Sequence, residues 1–314
     1  MKYLFGPVNS RRLGLSLGID IMPEKTCNFD CIYCEVGRTT QLTCERQEYV
    51  PTTDVLQEID SYLADLGNKR MPDVFTVTGS GEPTLHSGIG QIIRYLKEQV
   101  GRPVAVLTNG SLMHLKEVRE ELAFADIVIP SLDAVTERSF QKINRPAHCV
   151  ILPELIEGIK LFSREFRGQL WIEILFAKNI NDTPEDISAL QKVIREIAPE
   201  CIHLNSVARP PVEKFAQPVS KRHLEKIAAQ LATQFAGQVE IVMDFLKKKE
   251  NNELPVLEGD IVRMLKRRPS TASDISESLG LQEEGLQDSL LALEKRGRIT
   301  STTHNEEKYY QSKE

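Results

Sequence analysis

No apolar run in this chain is long enough to cross a bilayer, and its first residues, Met1-Lys2-Tyr3-Leu4-Phe5-Gly6-Pro7, lack the apolar stretch of a secretory leader. Basic residues hold no majority. The 39 Lys and Arg stand against 45 Asp and Glu, a net charge of −6, which excludes a surface given over wholly to nucleic acid and leaves room for a local basic groove. Internal repeats and low-complexity tracts are absent. Cysteine is scarce. Of six, three crowd into one octapeptide, and Cys44, Cys149 and Cys201 are scattered as separate thiols, so no disulfide framework is expected. Thiols reserved for a metal need a reducing compartment, and the expectation is a cytoplasmic protein.

What is present is concentrated in Cys27-Asn28-Phe29-Asp30-Cys31-Ile32-Tyr33-Cys34. A loop of that length points three sulfurs at one inorganic centre and offers no fourth within the same turn. Three thiolates on a [4Fe-4S] cube leave one iron without a protein ligand. The same sulfurs joined by Cys44 would instead make a structural four-cysteine zinc site.

The 314 residues, 41% of them hydrophobic, suit one large domain and a small one. Segments 15–21, 74–78, 104–107, 127–129, 170–176, 202–207 and 239–243 read as strands rich in Val and Ile. Between them lie helical faces: Val55, Ile59, Leu63, Leu66; Ile89, Ile93, Leu96, Val100; Leu152, Leu155, Ile156, Ile159; Ile187, Leu190, Ile194, Ile197; and Leu224, Ile227, Leu231, Phe235. Thr183-Pro184-Glu185 is an N-cap followed by Pro at the first helical position. Such alternation means a parallel sheet, either doubly wound or wholly or partly closed into a barrel. The polar run 247–253 followed by Pro255 reads as part of a linker spanning 246–254, separating residues 1–245 from residues 255–314. The last segment reads as three helices (259–267, 272–279, 284–296) and a hairpin turning at Asn305-Glu306-Glu307, the pattern of a winged helix. It holds nine Lys and Arg against eleven Asp and Glu. Its third helix carries Glu284, Asp288 and Glu294, which repel phosphate, so no specific binding of duplex DNA is expected. Basic residues gather instead at Arg263, Lys266, Arg267 and Arg268.

The CxxxCxxC spacing with Tyr33 before the last cysteine resembles the radical S-adenosylmethionine (SAM) enzymes. The phrase Phe5-Gly6-Pro7-Val8-Asn9-Ser10-Arg11-Arg12-Leu13-Gly14, running into that loop, is similar to the subgroup related to 4-demethylwyosine synthase, which modifies a tRNA base. The likeness covers roughly residues 1–210. That resemblance implies a partial (βα)6 TIM-like barrel, a [4Fe-4S] cluster on Cys27, Cys31 and Cys34, SAM bound at the open iron, and an electron donor such as a flavodoxin or ferredoxin. In one respect the chain departs from the synthase: no cysteine precedes Cys27, so the synthase's second cluster has no ligands there.

Chemistry in parallel α/β barrels gathers at the C-terminal strand ends. There stand Gly79-Ser80-Gly81-Glu82-Pro83, similar to the family's glycine-glycine-glutamate motif, which by that match holds the SAM amino group. A plain glycine turn with a capping acid is the other reading. Thr108 and Asn109 end the next strand, and Ser131 and Asp133 the one after; these are SAM-contact candidates, with strand-end caps as the alternative. Arg209 is a candidate for a SAM carboxylate or a substrate phosphate, and Lys178 for a proton donor, where a solvated charge is the common reading. Arg11, Arg12, Asn144 and Arg145 are candidates for substrate phosphate or carboxylate, surface ion pairs being the alternative. His203, inside a strand, reads as a satisfied core histidine. The substrate expected is RNA, a tRNA base above all, with a peptide or protein as the second reading and a zinc-stabilised, non-enzymatic binding protein as the third.

Overall fold

Seven of the eight strands in the main sheet run parallel, and they follow one another in chain order. The computed structural model describes residues 1–10, 12–67, 70–242, 258–279, 281 and 283–313. The sheet begins with β1 (Leu4–Ser10), antiparallel to β2 (Gly14–Asp20). After β2 come two short pairing segments, β3 (Thr26–Cys27) and β4 (Gln41–Leu42). The alternation then proceeds through α1 (Thr52–Leu66), β5 (Val74–Thr78), α2 (Ile89–Val100), β6 (Val104–Thr108), α3 (Lys116–Leu122) and β7 (Ile127–Pro130). It continues with α4 (Glu137–Ile143), α5 (Leu152–Glu165), β8 (Gln169–Phe176), α6 (Pro184–Ile197), β9 (Cys201–Ser206), α7 (Lys221–Ala232) and β10 (Gln238–Ile241). Six strand-helix units and a closing parallel strand form the partial barrel.

Each helix lays an apolar face on the sheet. Ile89, Ile92, Ile93 and Leu96 of α2 are fully buried, as are Ile159 and Phe162 of α5. In β8 the burial alternates residue by residue: Ile172, Ile174 and Phe176 pack under helices, while Trp171 and Glu173 face the barrel interior. Thr183 caps α6 by accepting the Asp186 N–H. The last helical face is shorter than its periodicity, since α7 ends at Ala232 and Phe235 lies beyond it.

Three elements, β1, α3 and α4, have no counterpart in the sequence reading. Strand β1 carries Gly6-Pro7 and shifts register between Phe5 and Val8, which breaks the alternation that marks a strand. The seven-residue helices α3 and α4 are too short to show a period. The scattered-thiol expectation is corrected: Cys44 and Cys149, 105 residues apart, form a disulfide, while Cys27, Cys31, Cys34 and Cys201 are free. The pairing is tertiary. Ala147 N–H donates to Asn28 O (2.8 Å) and Thr43 N–H to Cys27 O (3.0 Å), so both partners of the bond flank the same loop. Alkylation of the denatured, unreduced chain is therefore expected to label four thiols, and six after reduction, as mass spectrometry counts them.

Helix α8 (Glu258–Arg267), β11 (Ser270–Thr271), α9 (Ala272–Leu279), α10 (Glu283–Lys295), β12 (Ile299–His304) and β13 (Glu307–Ser312) form a C-terminal unit with its own small core of Ile261, Leu265, Ile275, Leu290 and Ile299. Its sheet runs β11-β13-β12, antiparallel. The hairpin turns on Asn305 and Glu306, both at positive φ, the conformation a tight two-residue hairpin requires. The unit rests on the barrel. Asn9 Nδ2 donates to the Glu277 carbonyl (2.5 Å), Tyr309 Oη to the Ala208 carbonyl (2.9 Å), and the Arg267 guanidinium lies 4.0 Å from the Phe5 ring centroid. The linker expected over 246–254 lies outside the described residues, as does Arg11.

Candidate functional site

The cysteine loop enters the barrel's C-terminal end through a sharp bend. Lys25 holds φ at 62°; its N–H donates to Ser80 O (2.9 Å), and its carbonyl accepts from the Thr40 and Gln41 N–H groups, both at 3.1 Å. Beyond it, each thiol has its own donor. Phe29 N–H and Asn109 Nδ2 approach Cys27 Sγ at 3.4 and 3.8 Å. Asn144 Nδ2 approaches Cys31 Sγ at 3.6 Å, and Lys25 Nζ approaches Cys34 Sγ at 3.2 Å. Burial, aided by the neighbouring Glu82 carboxylate, pushes the Cys27 thiol up to about 12, and burial likewise raises Cys31 well above its ordinary value. Bare thiols there keep their protons at neutral pH, and a bound metal centre is what turns them into thiolates. Three free sulfurs, each faced by an N–H or ammonium donor, fit a cluster held by three protein ligands. Cys44 is committed to Cys149 and so does not complete a four-cysteine zinc site.

The Gly79-Ser80-Gly81-Glu82 turn crosses directly over the start of that loop. A Cβ on Gly81 would sit 1.7 Å from the Thr26 carbonyl oxygen, so only glycine permits the approach. Glu82 N–H donates to the same oxygen (3.2 Å). The Glu82 side chain is 2% exposed. Its Oε1 accepts from Thr84 N (3.0 Å), Thr84 Oγ1 (2.5 Å) and Thr108 Oγ1 (2.6 Å), its Oε2 from Asn109 N (2.7 Å). Burial raises its pKa against the pull of those four bonds. The acid therefore caps the short turn Pro83–Leu85 and ties it to the end of β6, leaving Oε2 with a single donor among the described residues. The two sequence readings of this motif, capping acid and ligand contact, meet in one residue.

Asp133 anchors the opposite wall. It accepts from Tyr33 Oη (2.5 Å), Asn144 Nδ2 (2.7 Å) and Leu175 N (2.9 Å). Burial nonetheless pushes its carboxyl up to about 6. Because the folded group keeps its proton above the unfolded range near 4, the folded state binds more protons between about pH 4 and 6, and stability falls as pH rises through that window. Asp133→Asn is expected to flatten that dependence in the cluster-free chain, measured as urea midpoints at pH 5 and 7.5. An unchanged slope would assign the dependence to other groups.

Tyr33, Gly79, Gly81, Glu82, Thr108, Asn109 and Asp133 thus gather around the three cysteines. Ser131 stands at the same end, bridged to Glu173, with its N–H on Thr108 O (2.9 Å). The basic candidates are placed differently. Asn144 is 3% exposed and lies behind Cys31 rather than toward an open mouth. Arg12 is held by Glu173 at 2.7 Å inside the barrel, and Glu173 also accepts from Asn205. Arg145 is held by Glu213 at 2.6 Å. Arg209 is 5% exposed and divided between Glu35 (3.1 Å) and Asp274 of the C-terminal unit (3.5 Å). Lys178 is exposed in a loop. Sequence reasoning missed Lys25, Asn28 and Asp20. Asn28, fully buried, bonds Ser111 and Asn109 at 2.6 Å each. Asp20 accepts from Ser80 N (2.9 Å), Ser80 Oγ (2.6 Å) and Arg267. Lys25 and Asn28, in a loop, carry no periodic signal, and Asp20, the last residue of β2, is the one charged residue of its strand. Only the positions of Lys25 and Asn28 beside Cys27 could have singled them out.

Comparison with known proteins comes from three directions. Residues 22–190 match the family model described as the radical SAM superfamily. A UPF0026 protein of Methanocaldococcus jannaschii is 34% identical over 282 residues, 89% of this chain and 86% of that protein. A Brachyspira hyodysenteriae protein named GTPase Obg is 33% identical over 95% of this chain, which spans only 43% of that protein's length. Among solved structures, TYW1 with a lysine-pyruvate adduct bound superposes with a TM-score of 0.56 at 18% identity, over 74% of this chain and 76% of that one. Streptococcus suis SuiB bound to its precursor peptide SuiA gives 0.52 at 18% identity, over 71% and 48%. At those identities the likeness is one of fold: the α/β partial barrel with its parallel sheet.

Proposed function

We propose that this chain, which belongs to the radical SAM superfamily and within it to the UPF0026 proteins, modifies an RNA base by radical chemistry. Its cofactors are a [4Fe-4S] cluster and SAM. Cys27, Cys31 and Cys34 would hold the cluster, which when bound would supply one-electron reductive cleavage of SAM, the family's source of a radical able to take a hydrogen atom from substrate. The family requires a reductant, and we assign a flavodoxin or ferredoxin to that role.

The chain's own residues do the holding. Cys27, Cys31 and Cys34 ligate. The Lys25 ammonium and the Asn109 and Asn144 amides face the sulfurs, where they offset the negative charge of thiolates. Glu82 fixes the glycine turn whose backbone and free Oε2 lone pair receive the SAM ammonium group. Thr108, Asn109, Ser131 and Asp133 shape the pocket for the rest of that molecule. This enzymatic reading replaces the zinc-stabilised binding protein, whose fourth thiol is already spent.

The observation that carries the RNA reading is the phrase Phe5–Gly14 running into the cysteine loop. In the fold it forms the β1–β2 edge of the barrel and brings Arg12 inside. The C-terminal unit, read as a winged helix, lies on that edge. Its basic residues at the end of α8 are not a bare phosphate-binding row: Arg267 is on Asp20, and Arg263 is on Asp260. No helix among the described residues is long and apolar enough to cross a membrane. We place the reaction in the cytoplasm, where the loop thiols stay reduced and the exposed Cys149 leaves its bond open to thiol exchange.

The test is anaerobic release of 5′-deoxyadenosine by the reconstituted chain, screened against tRNA and peptide pools. Stimulation by tRNA alone is the expected result. Stimulation by peptides alone would overturn the RNA assignment in favour of a peptide or protein, with radical chemistry intact.

A further inference from the structure

At the opposite end of the barrel from the cysteine loop stands a second group of metal-ligand side chains. Cys201 and His203 are two apart on β9 and share its interior face. Glu240 of β10 is the register partner of His203 across the parallel ladder. One donor atom from each lies within 4.8 Å of the other two.

His203 is not the satisfied core histidine its position in a strand suggests. It is 2% exposed, and its Nδ1 has no hydrogen-bond partner among the described residues. Its Nε2 stands 3.6 Å from Glu240 Oε2, beyond hydrogen-bond range. That spacing suits a different geometry. Zinc bonds of about 2.0–2.3 Å to nitrogen, oxygen and sulfur put the edges of a tetrahedron at about 3.3–3.6 Å. Trp171 meets the imidazole edge-on, centroids 5.2 Å apart, which fixes the plane of the ring. The three side chains border a cavity of about 560 Å³ that also touches Arg12, Gln169 and Glu200. A divalent ion would be neutralised by one thiolate and one carboxylate. The nearby Arg12 guanidinium is already balanced by Glu173.

We infer that Cys201, His203 and Glu240 form a three-ligand site for a borderline-soft divalent ion of the zinc type, with the fourth position open to the barrel cavity. Mixed sulfur, nitrogen and oxygen donors select that class over magnesium or calcium. The ion would tie β10 to β9 and close the last strand of the sheet. The site is independent of the radical reaction.

The test counts zinc by native mass spectrometry of the full chain after its cluster has been reconstituted, so that the loop thiols are occupied. One zinc beyond the cluster is expected. Cys201→Ser and His203→Gln should each weaken uptake by about tenfold or more, since losing a ligand costs at least what losing its supporting partner does. Retained iron and sulfide content shows that the variants are folded. Should Cys201→Ser lose its cluster, His203→Gln carries the test, and a cobalt-loaded C27A/C31A/C34A chain adds a thiolate-to-cobalt band that His203→Gln should perturb. No zinc on the cluster-loaded chain, or uptake unchanged in His203→Gln, would overturn the site.

Discussion

Alanine in place of Cys27, Cys31 or Cys34 should reduce release of 5′-deoxyadenosine from SAM to that of a protein-free control. Each sulfur has its own donor, Asn109 for Cys27, Asn144 for Cys31 and Lys25 for Cys34, so no thiol in the loop is spare. The remaining cysteines offer no rescue. Cys44 is paired with Cys149, and Cys201 begins β9 at the far end of the barrel. Two thiolates would leave a cube with two irons lacking protein ligands, and such a cluster is lost rather than re-ligated. Iron and sulfide analysis should fall with activity. Turnover persisting in any one of the three variants would contradict the mechanism.

Gly81→Ala is the second large effect expected, and it reaches the pocket through the backbone alone. The added methyl carbon would lie 1.7 Å from Thr26 O and 2.6 Å from Thr26 C. Neither atom is the end of a flexible side chain, so the whole turn must shift. Glu82 would move with it, loosening four hydrogen bonds to a buried carboxylate. Loss of stability by about 2–4 kcal/mol follows from overpacking plus weakened buried acceptors, together with a drop in SAM affinity of about a hundredfold or more, equivalent to ~2.7 kcal/mol. Gly79→Ala is the contrast. Its Cβ would meet Met22 Cγ and Cβ at 3.0–3.1 Å and the Gly81 carbonyl oxygen at 3.2 Å, contacts that a shift of a few tenths of an ångström relieves, against the 1.7 Å overlap at Gly81. Equilibrium dialysis of SAM and thermal unfolding of both variants separate the cases. Equal effects would mean that contact with Thr26 does not control the turn.

Much of the barrel could be read from the chain because each parallel strand is a short Val- and Ile-rich run between helical periods. Segment 74–78 coincides with β5, and 104–107, 127–129, 170–176 and 202–207 fall within a residue or so of β6, β7, β8 and β9. The 239–243 reading overlaps β10 at 238–241. The cysteine loop and the glycine-glutamate turn were also legible, since their residue types are rare in such density. Charge pairing was not. Arg12 finds Glu173 at a separation of 161 residues, and Arg145 finds Glu213 at 68. Residues so far apart meet only through topology, and an arginine looks free until its partner is placed. The same holds for Cys44 and Cys149, and for His203, whose missing partner is a property of its surroundings and not of β9.

The contact of Arg267 with Asp20 bears on how this chain is handled at the bench. Asp20 carries the Ser80 backbone and hydroxyl, and its counter-cation comes from α8. A shortened chain ending at residue 242 would keep every cofactor ligand and yet leave a bare carboxylate under the glycine turn. SAM affinity measured on such a fragment would describe a differently charged pocket, and a chain that retains the C-terminal unit is the appropriate reagent even for work on the barrel alone.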